Sequence, residues 1–206
     1  MGRPRLQARG STIGEADRRR GVLRALFRLI CEKGYSNTSL ADLAAASGMS
    51  ASHLLYYFPG KDAVLAELLD LRAQNILRDV LSLHGDSPDE VFDALADYFF
   101  GGAVMTRPEQ GAMLELFGLS THDRRLWRIK SNFDAQMNAY LTAIFRRTSG
   151  AATRPADESA ETALAVLVGL LTSSYFEEHA DPPRARRLFR QALARLAAPL
   201  DDSAHS

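Results

Sequence analysis

Between Ser39 and Lys61 the chain reads SLADLAAASGMSASHLLYYFPGK, two short helical segments meeting at a glycine. This stretch constrains the fold more than any other. In the first segment Leu40, Leu43 and Ala44 stand at i, i+3 and i+4 and form one narrow apolar face, with Thr38 or Ser39 able to cap its start. Gly48 follows four residues after Ala44. Two reasons favour glycine there: a turn that needs φ > 0, and a small side chain where two helices cross closely. Ser50 then caps a second helix with Leu54 and Phe58, four residues apart, on its buried side. At 100° per residue Ser52 and Tyr56 point the opposite way, flanked by His53 and Leu55. A short helix with polar and aromatic groups at its outer front suits a DNA major groove.

The segment before this motif is basic. Residues 1–60 hold 9 Lys and Arg against 4 Asp and Glu, whereas residues 61–206 hold 16 against 21, so a net charge of +0 hides a basic front and an acidic remainder. That division predicts that only the front meets a polyanion. Residues 1–14 read as a flexible arm in which Arg3 and Arg5, stiffened by Pro4, are placed to enter a narrow minor groove. A first helix is predicted from Glu15 to Lys33, with Val22, Leu26, Leu29 and Ile30 inward and Gly34 as its stop. Arg18, Arg19 and Arg20 lie in its first turns and oppose the helix dipole, so phosphate contact and a solvated charged face are both open for them.

Read outward from the turn, EKGYSNTSLADLAAASGMSASHLLYYFPGKDAVL resembles the amino-terminal DNA-binding segment of TetR/AcrR-family transcriptional regulators. The resemblance covers about Val22 to Leu68. It rests on elements in the right order: Gly34-Tyr35 ending a helix, Thr38 capping the next, the step from Ala44 to Gly48, then Tyr57-Phe58 and Lys61. With it, DNA contact is expected from Thr38, Ser50, Ser52, His53, Tyr56, Tyr57 and Lys61, in addition to Arg3 and Arg5 of the arm. Ser52 and His53 would meet base edges, and Tyr57 and Lys61 would anchor phosphates. Two positions depart from the family pattern, since Leu55 stands where a tyrosine is common and Ser52 where glycine is common. Beyond about Leu83 the resemblance is limited to a longer, divergent, all-helical domain.

The remaining chain reads as helices throughout. Pro59-Gly60 breaks the chain, and a long fourth helix from Lys61 carries Val64, Leu68, Leu71, Ile76, Val80 and Leu83 along one face. Ser87 to Glu90, Thr106 to Glu109 and Ser120 to Asp123 each have the pattern of a capping box opening a further helix. An eighth helix from Asp157 to His179 is apolar nearly all round between Ala163 and Leu171, so both its sides need cover. Asp181-Pro182-Pro183 opens a ninth. The expected architecture is all-α with about nine helices: an arm at 1–14, a helix-turn-helix domain at 15–62, an effector-binding and dimerisation domain at 63–199, and a tail at 200–206. Phe99, Met113, Phe117, Trp127, Phe133, Met137, Tyr140 and Tyr175 are the candidates for lining an effector cavity, because aromatics and methionines adapt to an apolar guest. The eighth and ninth helices are expected to pair with a second copy.

Several classes are excluded. Cys31 is the single cysteine, so no intrachain disulfide forms. The start MGRPRLQARGSTIGE lacks an apolar h-region, and the longest purely apolar run, Ala163 to Leu171, falls short of a membrane span, so a cytoplasmic protein with no membrane partner is expected. The five histidines show no HExxH or other metal-ligand spacing, and neither a GxSxG elbow nor a phosphate-binding glycine loop occurs. Glu177, Glu178 and His179 are consecutive and diverge on a helix. No catalytic residue, metal or cofactor is therefore expected. The sequence predicts a ligand-responsive regulator, in particular a homodimeric repressor that reads a palindromic operator and is released by a small, largely apolar effector. The rival is an effector-independent structural or nucleoid-associated DNA binder of the same fold, which a fully packed second domain would favour.

Overall fold

A computed structural model describes residues 8–102, 105–148, 154–178 and 181–199, with side chains from residue 14 onward. Among the described residues there are nine helices and no strand: α1 Ala8–Lys33, α2 Leu40–Ala46, α3 Ala51–Tyr57, α4 Lys61–Leu81, α5 Pro88–Phe100, α6 Arg107–Ser120, α7 Arg124–Arg146, α8 Ala156–Phe176 and α9 Pro182–Ala197. The chain forms two compact units, residues 1–71 and 72–206. The first half of α4 belongs to one and the second half to the other. Arg3 and Arg5, and the tail at 200–206, lie outside the described residues.

In unit 1 the core is built from the faces that the periodicity marks. Val22, Leu26, Leu43, Leu54, Phe58, Val64 and Leu68 are all buried. Each such side chain contributes roughly 1.5–3 kcal/mol relative to exposure. Gly34, at φ 82°, ends α1 and returns its amide to the Ile30 carbonyl at 2.9 Å, a left-handed cap. The helix itself starts at Ala8, seven residues before the expected Glu15. Glycine inside a helix costs only about 1 kcal/mol and does not break it, so Gly10 and Gly14 are carried through.

The α2–α3 turn needs glycine for one of the two expected reasons. Gly48 has φ 69°, and the Met49 amide closes the turn on the Ala44 carbonyl at 2.9 Å. A Cβ built at Gly48 would meet nothing within 4 Å, so close helix approach plays no part. Ser39, not Thr38, caps α2. Its hydroxyl accepts from the Asp42 amide at 3.0 Å while Asp42 accepts from the Ser39 amide at 2.8 Å. Lys33, 2.8 Å from Asp42, together with the Ser39 hydroxyl, holds that carboxyl well below the usual carboxylate range.

Unit 2 packs α5 on α9, α7 on α8, α8 on α9, and α6 on both α7 and α8. Phe92, Leu95, Leu116, Met137, Leu141, Phe145, Phe189 and Leu193 form its fully buried centre. Caps again set the starts, with Ser87, Thr106, Asp123 and Asp181 before α5, α6, α7 and α9. The third expected capping box is corrected. Asp123 caps α7 by accepting from the Arg125 and Leu126 amides at 2.7 and 3.0 Å, and Ser120 instead closes α6 by donating to the Phe117 carbonyl at 2.6 Å. Asp89, Asp93 and Asp97 on α5 face Arg186 and Arg190 on α9, with pairs at 2.5 to 3.9 Å. The residue spacing on both helices is four, so the ion pairs form a ladder that fixes the register of this contact.

By length and composition alone α8 is long and apolar enough to cross a membrane. Its uninterrupted apolar run is nonetheless short, because Thr162 and the residues from Thr172 to Ser174 bound it. Its place in the fold accounts for the composition differently: one side packs on α7 and α9, while Val168 and Phe176 remain exposed.

Replacing Gly48 by alanine forces a Cβ into the left-handed region and is expected to destabilise the α2–α3 turn by about 1 kcal/mol without any steric clash. Hydrogen exchange of the α2 and α3 amides measures it. Asparagine, which tolerates this conformation, should cost less than alanine.

Candidate DNA-contact surface and effector cavity

The outward face of α3 is set by three residues on its inner side. Leu54, Tyr57 and Phe58 are buried, which leaves Ser50, Ser52, His53, Leu55 and Tyr56 exposed. Tyr56 is 79% exposed and Leu55 47%, large exposures for side chains with so much apolar surface. Ser50 caps the helix by accepting from the His53 amide at 3.2 Å, and its hydroxyl lies 3.1 Å from that of Ser52. Two hydroxyls, an imidazole, an isobutyl group and a phenol thus stand together at one helix front. Groups of these types can donate to and accept from base edges and cover a thymine methyl.

Three other expected DNA contacts point elsewhere. Thr38 is 1% exposed and donates its hydroxyl to the Gly34 carbonyl at 2.8 Å, so it holds the α1–α2 loop and offers nothing to a groove. Tyr57 is 8% exposed; its ring packs against His53 and Tyr56, and its hydroxyl accepts from Arg18 at 3.3 Å. Lys61 donates to the Tyr35 carbonyl at 3.0 Å and the Thr38 carbonyl at 2.6 Å, with its ammonium 4.0 Å from the centre of the Tyr35 ring. The Tyr35 hydroxyl in turn donates to Asp62 at 2.5 Å. Two of the three Lys61 donors therefore pin the loop to the first turn of α4, which leaves one for another partner.

Arg19 is the residue that the sequence reading missed. One guanidinium nitrogen donates to the Tyr57 carbonyl at 2.8 Å, the others pair with Glu67, and the plane lies 4.3 Å from the Phe58 ring centre. A single side chain from α1 thus satisfies the carboxyl end of α3 and ties it to α4. The three consecutive arginines divide accordingly: Arg18 reaches the Tyr57 hydroxyl, Arg19 forms this clamp, and Arg20 pairs with Asp17 at 2.6 Å. The one available signal was that cations in a first helical turn gain nothing from the dipole and so need partners elsewhere.

Unit 2 holds a cavity of about 50 Å³ walled by Phe99, Met105, Met113, Phe117, Phe133 and Met137, with Ile76 from α4, four α8 residues, and Lys130 and Asp134 from α7. Met105, Met113, Phe117, Val168 and Leu171 also wall a neighbouring hollow of about 30 Å³. Five of the eight expected lining residues are there: Phe99, Met113, Phe117, Phe133 and Met137. Three are not. Trp127 is 56% exposed on α7. Tyr140 is half-buried away from the cavity, its phenol pushed up by burial. The Tyr175 ring covers Gly111, where a Cβ would come within 2.7 Å of it, so it serves the α6–α8 contact.

A helix-turn-helix with an open helix front, followed by a helical unit with an apolar cavity, defines a DNA-binding regulator. Residues 22–68 match the model of the tetR family of bacterial regulatory proteins, and residues 88–198 match that of the BetI-type transcriptional repressor carboxyl-terminal domain. The chain belongs to the TetR family of transcriptional regulators and is not an enzyme. It is 27% identical to the HTH-type transcriptional regulator BetI 1 of Chromohalobacter salexigens over 83% of this chain and 86% of that protein. It is 29% identical to EthR of Mycobacterium tuberculosis, over 84% and 82%. In fold it is similar to a TetR transcription regulator from Haloarcula marismortui, with TM-score 0.77 and 18% identity over 88% of this chain and 97% of that one. It is also similar to a transcriptional regulator from Saccharomonospora viridis solved in complex with choline, with TM-score 0.74 and 20% identity over 87% and 96%.

Arg19→Met should leave Glu67 unpaired and the Tyr57 carbonyl without its donor, at a cost of about 1 kcal/mol for these part-exposed groups. Faster exchange of the last α3 amides and weaker DNA binding are expected. Arg19→Lys, which keeps the charge and one donor, should recover part of both. Unchanged exchange and affinity in Arg19→Met would remove the clamp from any role in holding α3.

Proposed function

We propose that the protein is a homodimeric repressor that reads a palindromic operator and releases it on binding a small, largely apolar effector. The observation that carries this reading is the coexistence of an unobstructed α3 front and an apolar cavity in one chain. Ser50, Ser52, His53, Leu55 and Tyr56 form the reading surface. Arg3 and Arg5 approach the adjacent minor groove. Arg18, joined to Tyr57, together with the remaining donor of Lys61, meets phosphates, so Tyr57 acts through its neighbour. Thr38 drops out of the contact set. The similarity to BetI and EthR supports a regulator of transcription, and the choline-bound neighbour supports a small organic guest in a domain of this fold.

The cavity of about 50 Å³ is smaller than the roughly 300–1,000 Å³ typical of a ligand site. Its walls hold three methionines, whose flexible side chains can move aside, and joining it with the adjacent hollow enlarges it at little cost. A cavity that a ligand must open suits a switch. A guest that binds the opened arrangement more tightly shifts the population away from the one that fits DNA, by no more than that difference in affinity. The cavity also argues against the effector-independent reading, which a fully packed unit 2 would have favoured. The domain division of the function follows the same lines, with DNA contact in unit 1 and effector binding and dimerisation in unit 2, in a cytoplasmic protein.

Dimerisation uses the exposed apolar side chains of α8 and α9. Val168, Phe176 and Leu188 are exposed on these two neighbouring helices and would supply the apolar contacts of a two-fold interface. Phe176→Arg combined with Leu188→Arg should convert a dimer to a monomer in sedimentation velocity, and operator affinity should fall by orders of magnitude because the second half-site is lost.

Selection of genomic fragments by the purified protein tests the reading as a whole. An inverted repeat with half-site centres on the order of 34–36 Å apart is expected. His53→Ala and Tyr56→Ala should lower affinity for that site by about 1–3 kcal/mol each while leaving binding to unrelated DNA nearly unchanged. Enrichment of no common sequence, or loss of specific and non-specific binding in equal measure, would overturn the assignment of α3 as the reader.

A further inference from the structure

The effector cavity has one polar corner, on α7. The Lys130 ammonium donates to Asp134 Oδ2 at 2.5 Å and lies 4.6 Å from the centre of the Phe117 ring. Both residues line the cavity. The Asp134 side chain is only partly covered, yet its second oxygen, Oδ1, is fully buried and has no hydrogen-bond partner. One turn along the same α7 face, the Asn138 side-chain oxygen is also buried without a partner. Two acceptors of α7 therefore lack a donor among the described residues, and of the two only that of Asp134 belongs to a cavity-lining residue.

A buried carboxylate oxygen left unpaired is costly, so this position favours any guest that brings it a donor. The chemistry of that partner follows from its surroundings. It must donate a hydrogen bond, because Oδ1 only accepts. It must tolerate or carry positive charge, because it approaches a carboxylate across aromatic faces, where Lys130 already shows that a cation is stable. The rest of it must be apolar, because Phe99, Met105, Met113, Phe133 and Met137 offer nothing else. An anion would face the Asp134 charge, with Lys130 already engaged. A quaternary ammonium has the charge but no N–H for Oδ1.

We infer that the effector is an amphiphilic primary or secondary amine whose apolar body fills the cavity and whose protonated nitrogen donates to Asp134 Oδ1. The inference rests on unit 2 being an effector domain, and it names the class of ligand. Lys130 is the internal competitor: it occupies the cation position between Asp134 and Phe117 when the cavity is closed, and the incoming ammonium shares or displaces it.

The test uses the full chain and three probes with one apolar body: hexylammonium, hexyltrimethylammonium and hexanoate. Binding is read by calorimetry and by fluorescence of Trp127, the single tryptophan, three residues before Lys130. Hexylammonium should bind about tenfold or more tightly than either analogue. Asp134→Asn should lose that preference by about tenfold while its unfolding transition stays near that of the wild type. Lys130→Met, which keeps the apolar stem and removes the competitor, should bind hexylammonium more tightly. Equal or tighter binding of hexanoate or the trimethyl probe, indifference to Asp134→Asn, weaker binding in Lys130→Met, or failure of all three probes to bind overturns the inference. Operator release separates it from the reading beneath it. If a probe other than hexylammonium releases DNA independently of Asp134, the effector role stands and the amine class falls. If hexylammonium binds through Asp134 and leaves the operator complex intact, the amine site stands and the effector role falls.

Discussion

A single guanidinium joins the carboxyl end of α3 to both α1 and α4. The helix has seven residues, too few to be stable alone, and its last carbonyls need donors that the chain beyond Phe58 does not supply. Arg19 supplies one from α1 and ties the same point to Glu67 on α4. Lys61 does the equivalent for the α1–α2 loop, with its two donors on the Tyr35 and Thr38 carbonyls. Unit 1 thus joins an apolar core of modest size to two cationic clamps on backbone ends. Small helical units leave many terminal carbonyls unpaired relative to the apolar area they bury, so charged side chains with several donors are an effective way to satisfy them.

Unit 2 solves a different problem. Its helices are long, its contacts are apolar, and the Asp and Arg ladder between α5 and α9 fixes register on the outside, where such pairs contribute little to stability but much to alignment. The centre is close-packed around Phe92, Leu116, Phe145 and Phe189. Between α6, α7 and α8 the methionines border a cavity, and Asp134, which carries an unpaired oxygen, is among its lining residues. Unfilled volume and an unmet acceptor both cost stability, which is why the proposed effector site is placed there.

Much of the architecture was legible because it is local. Ser39, Ser50, Ser87 and Asp181 start helices through bonds to amides three residues away, Thr106 does so through the Glu109 carboxylate, and Gly34 and Gly48 impose their turns through their own φ. The errors were local ambiguities of the same kind: Ser120 and Asp123 both look like caps, and glycines near Ala8 look like stops. The TetR resemblance rests on these short-range features and was sufficient to identify the family. In the candidate sites, legibility ended at partners distant in sequence. Thr38, Tyr57 and Lys61 read as groove or phosphate contacts because a polar side chain in the motif looks free until the loop or helix it bonds to is placed.

Sequence by itself determined the helices, their order, the turn that crosses α2 and α3, and the identity of the outward residues Ser52, His53, Leu55 and Tyr56, since helical periodicity fixes a direction once Leu54 is known to point inward. Tertiary structure alone decided which cations are structural and which are available. Arg18, Arg19 and Arg20 are indistinguishable in sequence, yet only Arg19 closes on Tyr57 and Glu67, from 38 and 48 residues away. It also decided that Trp127, Tyr140 and Tyr175 stand outside the cavity while Lys130 and Asp134 stand within its wall. An aromatic side chain in a helix bundle is apolar wherever it lies, and only the crossing of the helices determines whether it meets solvent, a neighbour or a cavity.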